Sequence, residues 1–129
     1  MEPDIKQTKI LCVEDEHFIS ELYNRALTKA GYDVKTVLDG VEALKEAQTD
    51  EYDIILLDIM LPNMTGLDIL DKLRNPAEPQ IKAKIIIATN LEQSEENRLA
   101  VEEKADAYVV KAEMTPRQLV EFLDQFKTA

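Results

Sequence analysis

Glycine is scarce in this chain. Gly31, Gly40 and Gly66 are the only three in 129 residues, and they stand far apart. None forms a glycine-rich phosphate loop, which excludes the P-loop and dinucleotide-binding classes. Cysteine is scarcer still. Cys12 is alone, so no internal disulfide is possible, in agreement with a reducing compartment. It reads as a small core residue. His17 is the single histidine. With no second one beside it, it reads as a solvated side chain in the first turn of a helix, not as a metal ligand or phosphodonor. No nucleophile–base pair of a hydrolase is visible. No apolar run approaches the ~20 residues of a membrane span. The opening Met1-Glu2-Pro3-Asp4 lacks the basic head and apolar stretch of a signal peptide. Positive charge is in deficit, 15 basic against 26 acidic residues for a net charge of -11. That balance argues against a nucleic-acid footprint. It suits a protein partner, or divalent cations beside clustered carboxylates.

What is present is a repeated alternation of short apolar runs with amphipathic ones. Residues 1 to 8 are polar, and fraying is expected there. Lys9 to Val13 is the first expected strand and ends in Glu14-Asp15-Glu16. A helix follows with Phe18, Ile19, Leu22, Ala26, Leu27 and Ala30 at helical spacing, stopped by Gly31 as a left-handed cap. Tyr32 to Val37 alternates, as a less buried edge strand does. Asp39-Gly40 reads as a turn, and Val41, Ala43, Leu44 and Ala47 mark a second, shorter helix.

The chain is organised around Asp53-Ile54-Ile55-Leu56-Leu57-Asp58. Its continuous apolar run reads as a strand buried on both faces, and it ends in a carboxylate. Pro62 stiffens the loop that follows, and Thr65 caps a helix from Gly66 to about Arg74 with Leu67, Leu70 and Leu73 on its stripe. Pro76 and Pro79 forbid continuation. Lys84 to Ala88 is the fourth strand and ends at Thr89-Asn90. Residues 91 to 104 read as a poor helix, its glutamates leaving Leu91, Leu99, Ala100 and Val101 for packing, and it is expected to be the least firmly held. Asp106 to Val110 is the fifth strand, ending at Lys111. Thr115-Pro116-Arg117-Gln118 opens a last helix with a capping box and Pro at the first position, and Leu119, Val120, Leu123 and Phe126 line its inner side.

Five strands alternating with five helices imply one α/β domain, a parallel sheet with helices on both faces. Residues 1–129 are read as a single domain with a core of about 9–127. In such a sheet the carboxyl ends of the strands share one edge. Glu14, Asp15, Asp58, Thr89 and Lys111 therefore converge. Three carboxylates in one crevice repel each other, so a proton or a cation must neutralise them. Mg²⁺ is the expected ion where phosphate also binds. A carboxylate nucleophile, a metal, a lysine and a hydroxyl are the parts for phosphoryl transfer to Asp58.

These residues and this alternation resemble the receiver domain of bacterial two-component response regulators, from about Lys9 to Phe126. The resemblance implies a flavodoxin-like (βα)5 fold with strand order 2-1-3-4-5. It implies that Asp58 accepts a phosphoryl group from a phosphohistidine of a sensor histidine kinase or phosphotransfer protein. Asp15, Asp58 and the Met60 backbone carbonyl would ligate Mg²⁺ directly, with Glu14 acting through water. Lys111 would pair with the phosphoryl oxygens, Thr89 would move toward them on activation, and Tyr108 would change rotamer with it. Gly66 matches the glycine that opens the third helix. Met60 and Leu91 fall where the side chain helps to set the dephosphorylation rate. A downstream protein partner would meet the face of the fourth helix, fifth strand and last helix, and homodimerisation on activation is common in the family. The expected localisation is cytoplasmic. No output domain follows Phe126, so the chain is expected to be a stand-alone receiver or one cut from a longer regulator.

Two positions depart from the pattern. Ala112 follows Lys111 where the family has a proline across a cis bond, so either a trans bond with a shifted loop or a strained one is expected. Asn90 is larger than the family's usual residue beside the threonine and would narrow access. An alternative function follows from these departures: a constitutive interaction module of the same fold that is not phosphorylated.

Overall fold

A computed structural model describes residues 7–89 and 95–127. Five strands and five helices alternate: β1 (Lys9–Val13), α1 (His17–Lys29), β2 (Asp33–Val37), α2 (Gly40–Gln48), β3 (Ile54–Asp58), α3 (Gly66–Leu73), β4 (Lys84–Thr89), α4 (Glu95–Lys104), β5 (Ala107–Val110) and α5 (Pro116–Leu123). The strands form one sheet in the order β2-β1-β3-β4-β5, and every pairing is parallel. The expected fold and strand order are those observed.

The sheet is central because its middle strands are apolar on both faces. All five residues of β3 are buried, as are four of five in β1 and five of six in β4. Alternation along each strand splits these side chains between two cores. Leu11, Ile55, Leu57, Ile85 and Ile87 face α2, α3 and α4, packing on Ala43, Ala47, Ile69, Leu70, Leu73 and Val101. Ile10, Cys12, Ile54, Leu56, Ile86 and Val109 face α1 and α5, packing on Tyr23, Leu27, Leu119 and Leu123. Cys12 is a core residue whose burial pushes its thiol up to about 12.

The caps follow the sequence. Thr65 accepts from the Asp68 N–H at 3.2 Å at the start of α3. Thr115 and Gln118 exchange both bonds of a capping box at the start of α5. Gly31, at φ 100°, turns the chain after α1.

Several expectations on helix faces need correction. The buried residues of α1 are Ser20, Tyr23 and Leu27, whereas Phe18 is 73% exposed. At 100° per residue Phe18 lies well off the line through Ser20 and Leu27. In α2 Val41 is exposed, and Ala43 and Ala47 carry the contact. In α3 Ile69 joins Leu70 and Leu73 as a fully buried residue, while the expected Leu67 is half-buried against the same core. In α4 Val101 is buried, but Leu99 is 54% exposed. Leu91 and the side chain of Ala100 lie outside the described residues. Asp39-Gly40 is not a free turn. Asp39 caps α2 by accepting from the Glu42 N–H at 2.9 Å, and Gly40 is the first helical residue.

Candidate functional site

The carboxyl edge of the sheet gathers the charged residues. Asp58 is the last residue of β3 and is buried, since β1 and β4 flank that strand on both sides. Glu14 follows β1 directly. Its backbone N–H donates to the Val37 carbonyl at 3.1 Å, which extends the β1–β2 ladder and leaves Glu14 buried. Asp15, one residue on, is exposed. One carboxylate oxygen from each of Glu14, Asp15 and Asp58 lies within 4.8 Å of the others.

Lys111 closes the group from the far side of the sheet. It follows β5, opens a 3-10 turn over Lys111–Glu113, and is buried. Its ammonium donates to Asp58 Oδ2 at 2.9 Å and to Glu14 Oε2. No cis peptide occurs among the described residues, so the bond to Ala112 is trans. The strained bond of the second alternative is therefore absent. The lysine reaches both carboxylates without the proline, and a 3-10 turn follows from it.

Charge in this cluster is unbalanced: three carboxylates face one ammonium. Burial, opposed by the hydrogen bond from Lys111 and reinforced by the Asp58 charge, lifts the Glu14 carboxyl to about 7. Burial weakens the hold of Lys111 on its proton, but the hydrogen bonds to Glu14 and Asp58 outweigh it and raise the ammonium above its usual range. Hard oxygen donors with an excess of negative charge match what Mg²⁺ requires. The donor set therefore fits the ion.

The loop from Ile59 to Thr65 leaves Asp58 and is bent back on it. The Met60 N–H donates to Asp58 Oδ1 at 3.2 Å, and the Gly66 N–H donates to the Ile59 carbonyl at 2.9 Å. A Cβ on Gly66 would lie 2.1 Å from the Asp58 carbonyl oxygen, so no other residue fits there without moving the backbone of the acceptor. The Met60 side chain stands 61% exposed beside this bend.

Of the remaining expected residues, Thr89 is the buried end of β4, next to β3. Tyr108 lies half-buried in β5, in register with Ile87, and packs on the α2–α3–α4 side of the core. Leu91 and Asn90 lie outside the described residues. His17 is exposed at the start of α1. What sequence reasoning missed is the contact of Gly40 with the Asp58 loop. Its N–H donates to the Pro62 carbonyl at 3.1 Å. The signal was there in Asp39-Gly40, an N-cap residue ahead of an apolar periodic run, and it was read only as a turn.

Known proteins share this fold. The alkaline phosphatase synthesis transcriptional regulatory protein PhoP of Bacillus subtilis is 38% identical over 111 residues, 86% of this chain and 45% of its own length. The chain thus spans under half the length of that relative. The chemotaxis protein CheY4 of Vibrio cholerae superposes with a TM-score of 0.81 at 31% identity, over 95% of this chain and all of that one. The BeF3-activated N-terminal receiver domain of RstA from Klebsiella pneumoniae superposes with a TM-score of 0.78 at 28% identity, over 92% of this chain and 97% of that one. The family model of the response regulator receiver domain matches residues 10–124. By its sheet order, its acidic edge and this match over nearly its whole length, the chain belongs to the response regulator receiver domain family of two-component signalling.

Proposed function

We propose that this domain is a phosphoacceptor switch that takes a phosphoryl group onto Asp58 from a phosphohistidine of a sensor histidine kinase or a phosphotransfer protein. The observation that carries the reading is the meeting of Glu14, Asp15 and Asp58 within 4.8 Å, with the Lys111 ammonium on two of them.

The step is a displacement at phosphorus. An Asp58 carboxylate oxygen forms the new P–O bond as the P–N bond to the partner's imidazole breaks. The imidazole, already protonated on its other ring nitrogen, keeps that electron pair and leaves as a neutral ring. Asp15, Asp58 and the Met60 backbone carbonyl would hold Mg²⁺, with Glu14 acting through water. Held there, the ion would offset the negative charge that accumulates among the carboxylates and the phosphoryl oxygens. Lys111, freed from Asp58 as the oxygen is phosphorylated, turns its ammonium to a phosphoryl oxygen. Thr89 ends the neighbouring strand, and its hydroxyl would move toward the same group on activation.

Phosphorylation then biases a two-state equilibrium. Thr89 and Tyr108 carry it to the face of α4, β5 and α5, where affinity for a downstream protein partner changes. The relative RstA is described as BeF3-activated, which supports an activated state for this fold.

Incubation with acetyl phosphate and Mg²⁺, followed by intact-mass measurement, tests the reading. One phosphoryl group is gained by the native chain and none by Asp58→Asn. A native chain that stays unmodified, while still binding its partners, would instead mark a constitutive interaction module.

A further inference from the structure

The loop that supplies Met60 is held from outside by an element with no part in the chemistry. Between Ile59 and Thr65 the chain turns sharply. The Met64 N–H donates to the Pro62 carbonyl at 2.8 Å, and Asn63 takes φ 70° in the left-handed region. That same Pro62 carbonyl accepts a second bond from the Gly40 N–H at 3.1 Å. Gly40 is the first residue of α2, and its N–H is one of the donors that a helix start leaves without a partner inside the helix. Here that donor is spent on the loop.

The contact is also steric. A Cβ on Gly40 would stand 1.9 Å from the Met64 carbonyl oxygen and 2.7 Å from the Met64 carbonyl carbon. Both are backbone atoms, so no rotamer change relieves the clash. Gly40 therefore lies flush against the peptide of Met64. Met64 in turn packs its side chain on the core shared by α2 and α3. The loop is pinned between its own Gly66–Ile59 bond at one end and the first turn of α2 in its middle.

We infer that Gly40 is a positioning residue for the metal donor: its clasp on Pro62 and Met64 fixes where the Met60 carbonyl stands relative to Asp15 and Asp58. The inference rests on the reading of Met60 as a Mg²⁺ ligand. Coupling between two such contacts is reciprocal. If the clasp favours the ion, then the ion tightens the clasp.

Two measurements test this. In the native chain, Mg²⁺ titration followed by NMR gives the affinity, and hydrogen exchange of the Gly40 amide slows as the ion binds. Gly40→Ala weakens Mg²⁺ binding about tenfold or more, the range seen when a supporting contact behind a metal ligand is removed. Asp106→Ala, which costs stability at the opposite edge of the sheet, leaves Mg²⁺ affinity at the native value. Native-like Mg²⁺ affinity in Gly40→Ala overturns the inference. So does a Gly40 amide whose exchange is the same with and without saturating Mg²⁺, and this second result decides the matter even where Gly40→Ala does not fold. A native chain that binds no Mg²⁺ overturns the functional reading itself.

Discussion

Lys111 and Asp58, 53 positions apart in sequence, form a buried ion pair at 2.9 Å on the carboxyl edge of the sheet. Neither side chain can leave water cheaply alone. Removing the ammonium strands Asp58 and Glu14 together. Lys111→Met is therefore expected to cost about 3 kcal/mol without Mg²⁺, the order found when one partner of a buried pair is deleted. Urea unfolding measures it. Added Mg²⁺ recovers much of that loss, because the ion supplies the missing positive charge. A variant as stable as the native chain would show that the pair is not buried in solution.

Stability without metal carries the signature of Glu14. Its carboxyl is raised from an ordinary 4.5 to about 7, first by burial. The folded state thus binds a proton that the unfolded state has already released between those values. Stability from this group is full below about 4.5 and is lost as pH rises through about 7. Glu14→Gln flattens that part of the profile, as read by denaturation midpoints at a series of pH values. The proton and the ion compete, so apparent Mg²⁺ affinity rises across the same window in the native chain.

Asp106 serves the other edge of the sheet. Its Oδ2 accepts from the Ile85 N–H at 2.7 Å and from Arg74 at 2.9 Å, while Arg74 Nε also reaches the Lys104 carbonyl at 3.1 Å. Asp106→Ala leaves the Ile85 donor and the guanidinium without this acceptor. The expected cost is about 1–3 kcal/mol by chemical denaturation. Phosphoryl uptake by the folded protein stays at the native rate, since the change is remote from Asp58.

Met60 stands exposed beside Asp58, and an apolar side chain there offers no hydrogen bond to an attacking water. The double variant Met60→Asn, Leu91→Glu is expected to lose its phosphoryl group faster than the native chain. The decay of the phosphorylated mass after removal of acetyl phosphate reports this. Equal decay rates would show that these two positions do not set the lifetime.

The fold was legible because its strands announce themselves. Ile54 to Leu57 and Ile85 to Ala88 are apolar without interruption, which only a doubly covered strand tolerates, and Thr65, Thr115 and Pro116 mark helix starts by local chemistry. The site was legible for a topological reason: residues just past parallel strands share an edge whatever the details of packing. Helix faces were less so. Phe18, Val41 and Leu99 sit at plausible apolar spacings, but which side of a helix is covered depends on how it crosses the sheet. Periodicity carries no information on that angle.

The amino-acid order alone determined the number of layers, the alternation of strand and helix, and which carboxylates end on a common edge. Those follow from local preference and from burial of continuous apolar runs. The tertiary structure decided the rest: that Lys111 shares its ammonium between Glu14 and Asp58, and that the first turn of α2 holds the loop beyond Asp58 through Gly40. Both are contacts between segments distant in the chain, set by distances that exist only once the sheet has formed.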